Sequence, residues 1–381
     1  MKGVPLWVAR IILVLVALLG IGVAIYRYRH GLGAATNLGD NWPWGLWIAF
    51  DLLCGVALAA GGFTIAATVY ILGREKYRPV ARAAILTAFL GYVLVIVALL
   101  VDLGQPHRII HMIWMWNPHS VLFEVGWCVL LYTTVLALEF APVVLEKWKM
   151  DRLVAILRTI QIPLVIAGIG LSTLHQSSLG SLFLAAGHRL HPLWFSPILP
   201  VHFFLSAVSV GLAMVIFEST LSSKIFGRSI EKEALEGLAR ALPWALGIYL
   251  LAKLIDLVGA GELNLAFQGT TQANMFLVEI LGGVILPILL LAAPSVRRST
   301  GLRFLAALLV VGGLIVNRFN VALVGMTDPA GTTYFPRWTE FAITAGIIAI
   351  GLLVFGFAVR HFKVFPEEHD AGGGAKSAAA A

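Results

Sequence analysis

The sequence predicts an all-α polytopic membrane protein, a bundle of about ten transmembrane helices with both termini on the inner side. Three observations predict it: an apolar composition, about ten apolar runs of bilayer-spanning length, and a lopsided placement of basic residues in the loops. Hydrophobic residues make up 59% of the 381 and charged residues 12%, where an average soluble domain has about 25% charged. No soluble fold covers that much apolar surface. Strand-like alternation is absent, which excludes a β-barrel.

A helix needs roughly 20 apolar residues to cross a bilayer. Runs of that size lie at about 6–26, 46–72, 80–101, 120–140, 154–174, 199–221, 241–258, 275–293, 302–324 and 339–359. The first follows a basic start, is too long for a signal-peptide core and ends in arginine and tyrosine, so it reads as a retained helix. The seventh is the shortest and most polar. Residues 1–365 form one transmembrane domain on this reading, and the low-complexity tail 366–381 predicts disorder on the inner side.

Most of the 27 lysines and arginines fall in one set of loops: Lys2, Arg74 to Arg82, Lys147 to Arg158, Lys224 to Arg240, Arg297 to Arg303, and Arg360 to Lys376. The opposite loops hold only Arg27, Arg29, Arg108, Arg189 and Arg337. The positive-inside rule makes the first set cytoplasmic, as an even number of spans requires if both termini are inside. The expected location is therefore a bacterial or archaeal cytoplasmic (inner) membrane. The net charge of +7 belongs to these loops and gives no sign of nucleic-acid binding. Cys54 and Cys128 lie in apolar runs without a C-x-x-C pattern, so no iron–sulfur or zinc site is predicted.

Ionisable residues inside a span are costly and point to function. Asp51, Asp102, Glu124, His175, His202, Lys253, Asp256, Glu279, Arg318 and Glu340 fall in the outer half, and only Glu139 and Glu218 fall toward the inner ends. Several have structural explanations. Lys253 and Asp256 are spaced to neutralise each other. Asp51, Glu279 and Glu340 lie near helix starts, where the dipole favours a carboxylate. Arg318 can snorkel or pair. Glu124 lies among apolar neighbours, and Glu139 follows 15 residues later on the same face, roughly 22 Å away. Two such stations on one helix suit a proton relay, with Glu218 as a further inner station. No catalytic residue and no metal site is predicted.

The stretch STLHQSSLG closes the fifth apolar run. It places His175 at the outer end of that span, with Gln176, Ser177 and Ser178 as small hydrogen-bonding neighbours. Apolar walls, a titratable imidazole and a proton route suit a quinone; a helix-end histidine bonded to backbone is the structural alternative. A haem would need an axial histidine pair at matched depth. His175, His202 and His111 are the candidates, and none repeats as an in-helix pair.

The stretches WPWGLWIAFDLLCGVALAAGGF, LVDLGQPHRIIHMIWMWNPHSVLFEVGWCVLLY, LHQSSLGSLFLAAGHRLHPLWFSPILP and AMVIFESTLSS run in order across about residues 40–225. They resemble the NrfD/PsrC family of quinone-reactive membrane subunits. HQSSLG with HPLWFSPILP is most similar to the HybB-like branch, the membrane subunits of periplasmic [NiFe]-hydrogenases. The resemblance implies a helical bundle with no haem or iron–sulfur cluster of its own and menaquinone or ubiquinone as its redox partner in the membrane. It implies a periplasmic ferredoxin-like iron–sulfur subunit and the small and large [NiFe]-hydrogenase subunits as partners. By matching motif it assigns His175, Asp102, Glu124, Arg108 and Gln176 to the quinone and Glu124, Glu139 and Glu218 to proton handling. The same subunit in a molybdoenzyme, polysulfide, nitrite or multihaem-cytochrome complex is the alternative. A proton-coupled transporter needs a midplane site and usually an internal repeat, and no clear repeat is visible.

Overall fold

The computed structural model describes residues 6–42, 44–327 and 331–365. Lys2 and the tail 366–381 lie outside the described residues. Among the described residues, ten helices are long and apolar enough to cross a membrane: α1 Leu6–His30, α2 Trp47–Ile71, α3 Glu75–Asp102, α4 Val121–Lys147, α5 Gln161–Ala185, α6 Leu199–Phe226, α7 Lys232–Gly259, α8 Thr271–Ala292, α9 Thr300–Val324 and α10 Trp338–His361. The protein is a multi-pass integral membrane protein. We call the face with the basic loops the basic face and the opposite one the outer face.

The helix ends follow local chemistry. The Ser120 hydroxyl accepts the Phe123 amide to start α4, and Thr270 and Ser299 cap α8 and α9 in the same way, as N-cap residues do. Gly227 stops α6 at φ 64°, where a Cβ would be strained.

α2–α5 form one ring of four helices and α6–α9 a second. In each ring consecutive helices pack together and the first packs against the last. The repeat that the sequence does not show is thus present as geometry. α1 pairs with α10 and flanks the first ring through α3.

Small residues set the close approaches, as expected where lipid offers no hydrophobic drive between helices. A Cβ on Gly313 of α9 would lie 2.2 Å from the Gly283 Cα of α8. One on Gly211 of α6 would lie 2.8 Å from the Ala60 carbonyl carbon of α2.

α2 is broken where it meets α6. The Ala60 amide bonds to Ala57 O rather than Val56 O, and π-helical turns occupy Trp47–Leu52 and Ala67–Ile71. π-helical turns also hold Val278–Ile285 in α8 and Asn320–Val324 in α9.

The fifth span corrects the sequence reading. Residues Asp151–Thr159 form a separate short helix, and α5 runs on past His175 to Ala185. The serines that look like a helix stop are satisfied within the helix: Ser178 Oγ donates to Leu174 O at 2.7 Å and Ser181 Oγ to Ser177 O at 3.3 Å. Such back-bonding lets serine sit inside a buried helix.

Replacing Gly313 with leucine should lower stability by about 1–3 kcal/mol or more, as overpacking does. Gly312→Leu, where a Cβ meets nothing within 4 Å, should be near neutral. Thermal unfolding in detergent separates them, and equal midpoints would refute the close α8–α9 crossing.

Candidate functional site

The sequence places two carboxylates on one face of α4, and the structure turns that face toward α5. Glu124 Oε1 lies 2.6 Å from Ser178 Oγ, whose single proton it shares with Leu174 O. Near the other end, Glu139 Oε1 lies 3.6 Å from where a Gly168 Cβ would sit. Ser178, His175, Ser172 and Gly168 succeed one another at three- and four-residue steps along α5, which keeps them on one face. The face therefore runs from Glu124 to Glu139.

Between those ends lies a buried polar group. His175 is fully buried and meets the Tyr92 ring edge-on at 5.5 Å. Tyr92 meets Tyr132 edge-on at 4.7 Å, and both phenols lie beside Ser172. The hydroxyls of Tyr92, Tyr132 and Ser172, both ring nitrogens of His175 and Gln176 Oε1 are buried without a well-formed hydrogen bond. Buried polar atoms are ordinarily satisfied by protein, water or ligand, so this group fits polar ligand atoms or water.

Gln176 has a structural role as well. Its Nε2 donates to Val56 O at 3.0 Å, the carbonyl released by the break in α2.

Sequence reasoning missed Tyr92, Tyr132 and Ser172. A signal was present: tyrosine in a membrane protein gathers at the interfaces, and these two lie mid-span.

The other predicted residues sit apart from this line. Asp102 ends α3 within electrostatic reach of Arg27 and Glu340, facing α1 and α10. Arg27 is buried and donates to Leu103 O. Arg108 is exposed on the outer 3-10 turn Pro106–Ile113. Glu218 is buried on α6 beside Thr87 of α3, and its Oε1 is without a well-formed hydrogen bond among the described residues. Among the described residues, no cluster of three or more His, Cys, Asp or Glu is placed to hold a metal ion.

A second polar cluster occupies the α6–α9 ring. Glu279 is not a solvated first-turn carboxylate. It is 1% exposed and accepts from Trp194 Nε1 at 2.9 Å and from the Asn317 and Asn320 amides at 2.8 Å each. Arg318 does not snorkel. It donates to Asn317 Oδ1 at 2.6 Å and Ser206 Oγ at 2.9 Å and lies 3.8 Å over the Phe203 ring.

No Lys253–Asp256 ion pair within 4 Å occurs among the described residues. Asp256 instead accepts from Ser196 Oγ at 2.8 Å and lies 4.0 Å from His202 Nδ1. A cavity of about 20 Å³, room for one water, is lined in part by Ser206, Tyr249, Glu279 and Asn317.

Asp51 accepts from Thr344 Oγ1 at 2.7 Å, joining α2 to α10. Glu340 does take the helix-start role expected of it, accepting the Arg337 amide at 2.9 Å. In the outer segment between α5 and α6, burial pushes the His191 imidazole below the ordinary histidine range. Its Nδ1 accepts the Leu193 amide at 3.3 Å, so it serves as a loop acceptor.

Residues 34–330 match the family model described as Polysulphide reductase, NrfD. The chain belongs to the NrfD family. It is 40% identical to a protein of Nitratidesulfovibrio vulgaris over 366 residues, 93% of this chain and 94% of the relative. It is 34% identical to the probable Ni/Fe-hydrogenase 2 b-type cytochrome subunit of Escherichia coli over 349 residues, covering 90% of this chain and 88% of the relative. It is also 32% identical to the menaquinone reductase integral membrane subunit of N. vulgaris, covering 91% and 88%.

The two NrfD rings should respond differently to mutation. Glu279→Leu strands three donors beside buried Arg318 and should cost about 3–5 kcal/mol. Ser178→Ala removes one hydroxyl shared by Glu124 and Leu174 O and should cost about 1 kcal/mol. Denaturant unfolding in micelles measures both, and equal losses would remove the structural role from Glu279.

Proposed function

We propose that the chain is the quinone-reactive membrane subunit of a periplasmic [NiFe]-hydrogenase complex. In this reading a periplasmic ferredoxin-like iron–sulfur subunit, fed by the hydrogenase small and large subunits, exchanges electrons with menaquinone or ubiquinone held by this chain. The observation that carries it is the buried, partly unpartnered line on the α4–α5 seam, which joins an outer carboxylate to an inner one. Similarity to a relative named as a hydrogenase subunit supports the partner, and similarity to one named as a menaquinone reductase supports the substrate.

Reducing a quinone to a quinol takes two electrons and two protons. The electrons come from the iron–sulfur subunit. The protons must reach the two ring oxygens through this chain. Glu124, hydrogen-bonded to Ser178, is placed to take a proton at the outer end. His175, with both ring nitrogens unpartnered, is placed to donate to or accept from a ring oxygen. Tyr132 and Ser172 are spaced to carry a proton toward Glu139 by way of water. Glu218 beside Thr87 offers a second inner entry. With the basic face cytoplasmic, uptake from that side makes the reaction electrogenic, and uptake from the outer side leaves it electroneutral.

Asp102 and Arg108 belong to the quinone-binding set by motif, at the outer rim of the first ring. The subunit carries no haem in this reading. His175 meets Tyr92 in the first ring and His202 meets Tyr249 in the second. The second reading keeps the quinone and replaces the hydrogenase with another respiratory oxidoreductase, which the menaquinone reductase relative favours. Subunits that co-purify with the tagged chain decide between the two.

Hydrogen-driven quinone reduction in membranes carrying the intact complex tests the site. Glu124→Gln and His175→Ala should each cut quinone reduction at least tenfold, while hydrogen-driven reduction of an artificial acceptor continues at the wild-type rate. Wild-type quinone reduction in both variants would show that these groups do not serve the quinone.

A further inference from the structure

On the basic face, where α8 gives way to α9, four arginines lie in one region with one carboxylate, Glu236, that pairs with two of them. Arg297 and Arg298 end the short helix Pro294–Arg298, Arg303 lies in the first turn of α9, and Arg240 projects from α7. Glu236 lies 3.5 Å from Arg240 Nη2 and 4.0 Å from Arg298 Nε. Among the described residues it is the one carboxylate that pairs with any of the four. Arg303 feels Glu236 only at longer range.

Arg303 is 1% exposed. Its Nη1 donates to Arg297 O at 2.9 Å, while its Nε and Nη2 are buried without an acceptor. The Arg297 guanidinium closes the end of α8 through Leu291 O at 2.7 Å and Ala292 O at 2.9 Å, and its Nε is also unpartnered. Three donors on two neighbouring guanidinium groups thus lack acceptors. A buried charge with unmade hydrogen bonds is costly. Positive loops account for arginines being on this face, but not for burying one with two idle donors.

We propose that Arg297 and Arg303, with Arg298 and Arg240 as an exposed rim, bind the phosphate of an anionic phospholipid. Guanidinium groups match phosphate oxygens with paired N–H donors. The adjoining surface fits the rest of the molecule. Leu289 of α8 and Leu302 and Leu305 of α9 are 64%, 45% and 43% exposed, and the position beside Gly301 is open. Acyl chains can lie along that strip below the headgroup. A free phosphate would make no use of it. Basic pockets between helices at the cytoplasmic surface are the usual setting for such headgroups. The idle edge of Arg303 is covered in this state, so binding draws the side chain outward between Arg297 and Arg298. The site lies in the second ring, away from the α4–α5 seam, and does not depend on the quinone reading.

The test uses the full chain, purified in zwitterionic detergent with its partner subunits. Phosphatidylglycerol, phosphatidylcholine and inorganic phosphate are titrated separately, with thermal unfolding and native mass spectrometry as readouts. Phosphatidylglycerol should raise the midpoint and remain bound, while phosphatidylcholine and inorganic phosphate should do neither. Arg303→Gln should weaken phosphatidylglycerol binding roughly five- to tenfold. Arg298→Gln, an exposed change that leaves the fold intact, should weaken it by a smaller factor. Equal responses to the two lipids overturn the proposal, and so does a full response to inorganic phosphate alone. Wild-type lipid retention in both variants overturns it as well.

Discussion

The approach of α6 to the break in α2 is the contact on which the two rings depend. Gly211 brings the α6 backbone against Ala60 and Gly61 with no room for a Cβ. The α2 helix gives up its regular bond at Val56 O in the same region. A carbonyl released in hydrocarbon must find another donor. Gln176 supplies it from α5. One side chain thus repairs α2, fixes the rotation of α5 about its axis, and thereby turns Ser172, His175 and Ser178 toward α4.

Between the two rings, the Glu279 cluster and the α4–α5 seam differ in how fully their carboxylates are paired, although His202, Arg318 Nε and Asn320 Oδ1 of the second ring are also buried without a well-formed hydrogen bond. In the second, Glu279 takes three donors at once and Arg318 is spent on Asn317, Ser206 and the Phe203 ring. Such a network holds its members in one arrangement. In the first ring Glu124 has one side-chain donor, and His175, Tyr92 and Tyr132 have none that is well formed. Folding gains little from groups left in that state. Polar groups kept at a cost inside a membrane are those that exchange partners. The hydrogen bonds give the Glu279 cluster a structural part, and the looser pairing along the seam is in keeping with the exchange proposed for it.

Much of the fold was legible because hydropathy reports length directly. All ten spans were found, and the shared face of Glu124 and Glu139 followed from helical geometry. The fifth span was misplaced because hydropathy cannot distinguish a polar residue facing water from one facing a buried seam. HQSSLG reads as a helix end by composition, yet its serines bond their own helix. The role of Glu279 is hidden in the sequence for a related reason. Its position near a helix start suggested solvent, and its donors come from Trp194, Asn317 and Asn320, far away in sequence. The two-ring repeat was hidden because it lives in the order of packed helices rather than in matching residues.

The seam also explains why its ends are carboxylates and its middle is not. Toward the ends of a span the cost of a carboxylate falls, because water and headgroups are nearer. At mid-depth a carboxylate would need partners such as those around Glu279, and once paired so fully it could not exchange a proton. Tyrosine, serine and a neutral imidazole donate and accept without carrying a lasting charge. Gly168 leaves space beside the proposed route: a Cβ there would sit 3.5 Å from the Tyr132 ring and 3.6 Å from Glu139 Oε1. A larger side chain would fill the space between the final hydroxyl and the inner carboxylate. The chemistry of the line and the small residue that clears it are thus set by one constraint: charge is tolerable at the surfaces, and only neutral exchange is tolerable between them.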